Sequence, residues 1–317
     1  MAGPYEQHLA RGEDLITPPE AIRSGFVALA LEKNRQSTPT IEQARALYAT
    51  ATRIGDPRKL VTAVGLEAAL LTAAGISDKA LKYLNPEDRS EAVEGLVANF
   101  LDPAGGAWVE ELVYRFLLIR GDSMGGKLRN IVGVIAKQRL TRSILAALAL
   151  GGRPFRWLHL ASGPWIEGDV DDVDIEGRAR AFAWKVNGTG RVLAYNLNVP
   201  LVQKNIDVSL LASGPEDALQ KAYKVPNAYL ALGELKGGID PSGADEHWKT
   251  ANTALSRVRG AFTGAGCFPR TFFVGAAIVN NMSKELWGQL ESGQLSNAAN
   301  LTQADQVGSL SSWLIGL

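Results

Sequence analysis

Apolar residues in the first third of the chain recur at three- and four-residue intervals. Ile22, Phe26, Leu29 and Ala30 follow Pro18-Pro19 at the spacing that lines one face of an α-helix, with proline at its tolerated first turn. Asp56-Pro57 and Asn85-Pro86 repeat the start signal, a capping side chain before proline, and Gly75 offers a stop. The segments so opened carry Leu60, Val64 and Leu71, then Val93, Leu96, Val97 and Phe100. This pattern predicts a bundle of about four to six helices reaching roughly residue 120. After Gly151-Gly152 the period shortens to two. Alternating β-branched and aromatic residues predict strands at 178–186, 191–202, 205–211 and 228–236. Helical patterns at 244–262 and 283–293 flank one more predicted strand at 271–278, the alternation of an α/β layer.

Composition adds few constraints. The 317 residues are 46% hydrophobic and 21% charged, as expected of a globular chain long enough for one large domain or two smaller ones. Ile144–Leu150, among the longest apolar runs, is far shorter than the ~20 residues of a spanning helix, and the first residues lack a secretory pattern. A cytoplasmic protein without membrane contact is therefore the expectation. The single Cys267 leaves no internal disulfide and no thiolate metal cluster. Thirty-three basic residues balance thirty-three acidic ones, so nucleic-acid binding would require a locally basic surface.

Several motifs compete to carry the chemistry. Gly121-Asp122-Ser123-Met124-Gly125 has the pattern of a nucleophile elbow, and with Asp207 and His247 it gives the Ser, Asp, His order of a serine hydrolase. The helical spacing leading into it argues against the strand-to-helix turn that such a serine needs. The glycines with Lys127 and Arg129 read better as an anion nest, or simply as a turn between helices. Six carboxylates between residues 167 and 177 suggest a calcium loop, but Ala183 stands where the twelfth ligand is needed, which leaves a solvated acidic loop.

The stronger constellation is Asp207 with Glu234-Leu235-Lys236. On a strand, Glu234 and Lys236 project from one face while Leu235 points to the other. If the strand bearing Asp207 is a neighbour, two carboxylates meet beside a lysine. Such a set suits Mg²⁺, a hard cation that retains water, and a lysine that orients an attacking water: a site for phosphodiester hydrolysis.

The wording around these residues resembles the AvaI/BsoBI family of type II restriction endonucleases. Matching segments lie at 25–34, 74–80, 121–130, 233–255 and 297–302, the longest being Gly-Glu-Leu-Lys-Gly-Gly-Ile-Asp-Pro-Ser-Gly-Ala-Asp-Glu-His-Trp-Lys-Thr-Ala-Asn-Thr-Ala-Leu. The resemblance implies an α/β fold, a PD-(D/E)xK restriction-endonuclease core of mixed sheet flanked by helices. Residues 121–317 would form this catalytic domain and residues 1–120 a mainly helical, DNA-embracing one. It implies a Mg²⁺-dependent homodimer that cuts double-stranded DNA at the degenerate palindrome CYCGRG, leaves 5′ overhangs, and works beside a cognate methyltransferase.

In that family's terms Asp207 and Glu234 are metal-binding and catalytic, Lys236 is catalytic, and His247 is an additional active-site histidine suited to a general base. Lys79 and Asp240 match residues used at base edges. A lysine donor suits purine N7 or O6, and a carboxylate suits cytosine N4–H₂. Because N7 is an acceptor in both purines, a lysine reading it accepts either at a degenerate position. Lys127, Arg129, Lys137, Arg139, Arg142, Lys249, Arg257 and Arg259 are candidate phosphate contacts.

Overall fold

The computed structural model describes residues 3–160 and 163–317, apart from the side chains of 126–129. The chain forms two compact units, one of residues 28–131 and the other of residues 1–27 with 132–317. Packing thus divides the chain near residue 131 and not near 120, and the first 27 residues belong with the sheet.

The helical unit is built from α1 (Pro19–Ile54, which enters it at Ala28), α2 (Glu67–Ala73), α3 (Pro86–Leu96) and α4 (Trp108–Arg129). The start signals act as the sequence suggests. Asn85 accepts from the Asp88 N–H at 2.8 Å while the Asp88 carboxylate takes the Asn85 N–H at 3.0 Å, a reciprocal cap that leaves two fewer helix-end donors unsatisfied. Asp56 caps only a short 3₁₀ turn, Pro57–Thr62, and helix resumes at Glu67. Gly75 adopts φ +91° directly after α2, the left-handed stop that glycine provides without steric cost. Leu47, Leu60, Leu70, Leu71, Leu96, Leu101, Leu112 and Phe116 form the core of this unit.

Residues 121–125 correct two sequence expectations at once. α4 runs through all of them as regular helix, so Ser123 sits on neither a strand-to-helix turn nor an anion nest, and no turn between helices begins there. The serine-hydrolase constellation of Ser123, Asp207 and His247 loses the geometry its nucleophile requires.

The second unit holds α5 (Ile131–Leu150, from Val132), β1 (Arg156–His159), β2 (Trp165–Glu167), α6 (Ile175–Arg178), β3 (Ala179–Val186), β4 (Thr189–Val199), β5 (Lys204–Leu211), α7 (Pro215–Ala218), β6 (Tyr229–Lys236), α8 (Pro241–Gly264), β7 (Arg270–Gly275), α9 (Asn280–Glu291), β8 (Asn297–Asn300) and α10 (Ala304–Gly316). Among the described residues the strands make one eight-stranded sheet in the order β2-β1-β3-β4-β5-β6-β7-β8. Pairing is antiparallel from β2 to β6 and parallel from β6 to β8. The helices α8 and α9 make the two parallel crossovers, which two-residue turns could not.

Alternation decides which helix each strand residue meets. Phe182, Leu193, Val208, Ala231 and Phe272 join Leu140, Ile144 and Leu148 of α5 and Leu310 and Leu314 of α10 in one core. Ala181, Val192, Leu211 and Leu232 meet Val258 and Phe262 of α8, and Phe273 meets Trp248, Ala251 and Leu255. The mixed sheet is covered on both faces, as an α/β core with the expected helical companion. Within the acidic stretch, residues 169–174 form an exposed turn in which Asp169 and Asp172 accept backbone N–H groups of Asp171 and Asp174, between Glu167 at the end of β2 and Glu176 in α6. Among the described residues no helix is long and apolar enough to cross a membrane.

Candidate active site

The site forms where the sheet changes from antiparallel to parallel. β5 and β6 are neighbours, with Val208 opposite Gly233, so Asp207 and Glu234 each lie one step beyond that pair. Glu234 is buried, while Asp207 and Lys236 are partly exposed. The Lys236 ammonium donates to Glu234 Oε2 at 2.6 Å and to Asp207 Oδ2 at 2.9 Å. The same Asp207 oxygen takes the backbone N–H of Leu235 at 2.9 Å. Spacing brought Glu234 and Lys236 to one face. The Leu235 N–H, which fixes Asp207 against β6, has no signature in side-chain spacing.

Charge in this cluster is tightly constrained. Burial foremost, and then the Asp207 charge, raise the Glu234 carboxyl to about 7, against the lowering effect of Lys236. For Lys236, burial opposes the ammonium, but the two carboxylates outweigh it and the pKa is raised. A buried glutamate so reluctant to ionise is a position where an added cation is favourable. The donor set of two carboxylates fits a hard, oxygen-seeking ion that keeps water or phosphate oxygens as its remaining ligands. Among the described residues no group of three or more His, Cys, Asp or Glu side chains gathers, so there is no all-protein cage.

Past β6 the chain leaves through Gly237-Gly238. A Cβ on Gly237 would collide with the Val132 carbonyl and crowd Ala136 of α5, so only glycine fits that approach. A Cβ on Gly238 would lie 3.0 Å from His247 Nε2, which places the exposed imidazole beside the turn that follows Glu234-Leu235-Lys236. His247 is carried by α8, anchored by buried Ala244, Trp248 and Ala251 and by the Trp248 indole N–H donating to Glu285 at 2.6 Å.

Asp240 is the N-cap of α8. Its Oδ1 accepts from the Ser242 hydroxyl at 2.7 Å and the Ser242 N–H at 2.9 Å, and these bonds, the hydroxyl's foremost, lower its pKa. Lys79 is exposed at the start of a short turn, Ala80–Lys82, in the helical unit. Lys249 already meets Asp245 at 2.6 Å and Glu246 at 3.3 Å along its own helix, whereas exposed Arg257 forms no ion pair among the described residues. Arg142 pairs with Glu176, Arg259 bonds to the Gln294 carbonyl and Ser256, and half-buried Lys137 lies 5.1 Å from the Tyr195 ring centroid. The side chains of Lys127 and Arg129 lie outside the described residues.

Comparison with known proteins supplies the context for this cluster. Residues 5–317 match the family model described as restriction endonuclease BsobI. The chain is 51% identical over 314 residues to a protein named type II restriction enzyme AvaI from a Nostoc strain, covering 99% of this chain and all of that one. The same figures hold for the AvaI enzyme of Anabaena variabilis. To the type II restriction enzyme BsoBI of Geobacillus stearothermophilus it is 49% identical over 318 aligned positions, covering 99% of this chain and 98% of the other.

Proposed function

The chain belongs to the BsoBI restriction endonuclease family, and from that premise we propose that Asp207, Glu234 and Lys236 are the centre at which it hydrolyses phosphodiester bonds of double-stranded DNA. The observation that carries this reading is the joining of two carboxylates by one ammonium at the junction of β5 and β6. Mg²⁺ is the proposed cofactor. Held by Asp207 and Glu234, it would supply Lewis-acid stabilisation of the phosphate charge that grows during attack.

The side chains have separable tasks. Ionised Glu234 and Asp207 would hold the ion, and Lys236 favours the ionised form of Glu234 by donating to its Oε2. The Lys236 ammonium, which donates to both carboxylates, would donate to the attacking water or to a non-bridging phosphate oxygen when those carboxylates hold the ion. The Leu235 N–H keeps Asp207 against β6 throughout. His247, exposed next to Gly238, is the proposed base that takes the proton of the attacking water.

Recognition completes the proposal. Asp240 and Lys79 contact base edges, with Lys127, Arg129, Lys249 and Arg257 on phosphates, at the palindrome CYCGRG cut to leave 5′ overhangs. A two-fold homodimer presents one such centre to each strand. The protein acts in the cytoplasm, where a cognate methyltransferase protects host DNA, and the helical unit, residues 28–131, embraces the duplex. Incubation with supercoiled plasmid tests the chemistry: linear products should require Mg²⁺ and vanish in Lys236→Ala. Undiminished cleavage by that variant would contradict the assignment.

A further inference from the structure

Among the described residues three that are not glycine hold a left-handed backbone: Asn187 (φ +49°), Asn196 (φ +49°) and Gln203 (φ +55°). Two are explained by turns. Asn187 precedes Gly188 in the two-residue connection from β3 to β4, where such a conformation matches the strand twist, and Gln203 closes the connection into β5. Asn196 lies inside β4, between buried Tyr195 and Leu197, where an extended backbone is the rule.

Its place in the register is what makes it informative. Tyr195 pairs with Val208 and Leu197 with Ile206, so Asn196 stands opposite Asp207, and that position is omitted from a ladder otherwise in register around it. The β5–β6 ladder likewise ends at Val208, one residue short of Asp207. Side chains in a regular ladder stand roughly perpendicular to the sheet, whereas the N–H groups of the neighbouring strand lie within it. For Asp207 Oδ2 to take the Leu235 N–H, residue 207 must leave the regular pleat. The Asn196 side chain is exposed and makes no hydrogen bond among the described residues, so it does not itself hold the left-handed turn. Such a conformation persists where its surroundings over-determine it, and these sites cluster at functional positions.

We propose that Asn196 is a positioning residue whose left-handed backbone opens the β4–β5 ladder at Asp207, so that the Asp207 carboxylate turns toward β6 and Lys236. The inference rests on the catalytic reading of Asp207. Asparagine suits the position because it tolerates φ above zero better than most residues; glycine tolerates it fully, and a β-branched residue hardly at all.

Single-turnover cleavage of a cognate duplex by the full-length protein, across a Mg²⁺ titration, separates backbone from side chain. Asn196→Gly keeps the conformation without the carboxamide and should cleave within about threefold of the parent; Asn196→Val should fall by about 100-fold, the scale of a catalytic group displaced by about 1 Å. Added Mg²⁺ should recover part of the valine variant's rate, while cognate binding without metal stays unchanged. Equal loss in the glycine and valine variants would make the carboxamide a contact residue and overturn the proposal, as would a fully active valine variant. Should the valine chain not fold, Asn196→Ala must lie below Asn196→Gly in rate, and equal rates overturn the idea. Asp207→Ala separates the two readings. If it is active, the catalytic assignment fails; if it is dead beside a normal valine variant, only the role of Asn196 fails.

Discussion

Glu234 adds a pH dependence near neutrality to the stability of the metal-free protein. Its carboxyl titrates near 7 in the fold and at about 4.5 when unfolded, so the folded state holds the extra proton between those values. The stability this contributes is complete below the unfolded value and is lost as pH rises through about 7. Metal-free protein should therefore melt at lower temperature at pH 8 than at pH 6, with a shallower slope in Glu234→Gln. An unchanged slope in that variant would shift the cause elsewhere. Because the proposed Mg²⁺ would compete with the proton on Glu234, cleavage at limiting metal should rise through the same interval. At Gly237 the constraint is steric. Gly237→Ala should cost about 1–3 kcal/mol in denaturant titrations, the usual penalty of overpacking, since the Val132 carbonyl is backbone and cannot rotate away. The Glu-x-Lys spacing was legible because a strand repeats every two residues. The Leu235 bond was not, for a backbone N–H carries no side-chain signature.

Elements were legible in proportion to how far local pattern agrees with tertiary burial. The four predicted strands from 178 to 236 correspond to β3, β4, β5 and β6 within a few residues, because each alternates or carries β-branched runs. β8 escaped the pattern. Asn297-Ala-Ala-Asn300 has no β-branched or aromatic residue and is a strand because it is buried beside β7, with Asn300 bonded at both ends. β1 and β2 are too short to show a period, and the apolar face of α10 emerges only against the sheet. Helical spacing also suggested the end of the helical region near 120, whereas α4 continues to Arg129 through its glycines. For α8 the observed cap and the proposed base-contact role of Asp240 can be separated. Asp240→Asn keeps a good N-cap and should leave the unfolding midpoint in place while weakening discrimination at the cytosine it is proposed to read. Asp240→Ala should lower both; asparagine that discriminates like the parent would confine Asp240 to capping.

At the scale of the molecule, residues 8–17 secure the parallel edge of the sheet. Asn300 Nδ2 donates to the Leu15 carbonyl and to the Thr17 hydroxyl, both at 2.9 Å, while its Oδ1 accepts from the Thr302 N–H and hydroxyl. Thr17 in turn donates to the Ala276 carbonyl at 2.9 Å and accepts from the Ile278 N–H at 2.8 Å. Little in the first fifteen residues signals this role, because the bonds of Leu15 and Thr17 span 259 to 285 residues of sequence. Asn300→Ala should cost about 2–4 kcal/mol in chemical unfolding, since it strands several buried partners. His8 belongs to the same clasp, bonded to Ser309 and the Ala298 carbonyl, and burial foremost lowers its pKa from 6.5. Its contribution is present above 6.5 and is lost as pH falls through the lowered value, a loss at acid pH opposite to that of Glu234 at alkaline pH.

With no net formal charge, any attraction for DNA must come from a locally basic surface. The most direct measurement is sequencing of fragment ends after digestion of a plasmid of known sequence with Mg²⁺, beside Lys236→Ala. Discrete cuts within CYCGRG with 5′ overhangs, absent in the variant, are the predicted result. Ends scattered over the plasmid, or the same cuts made by Lys236→Ala, would contradict a site-specific nuclease working through Asp207, Glu234 and Lys236.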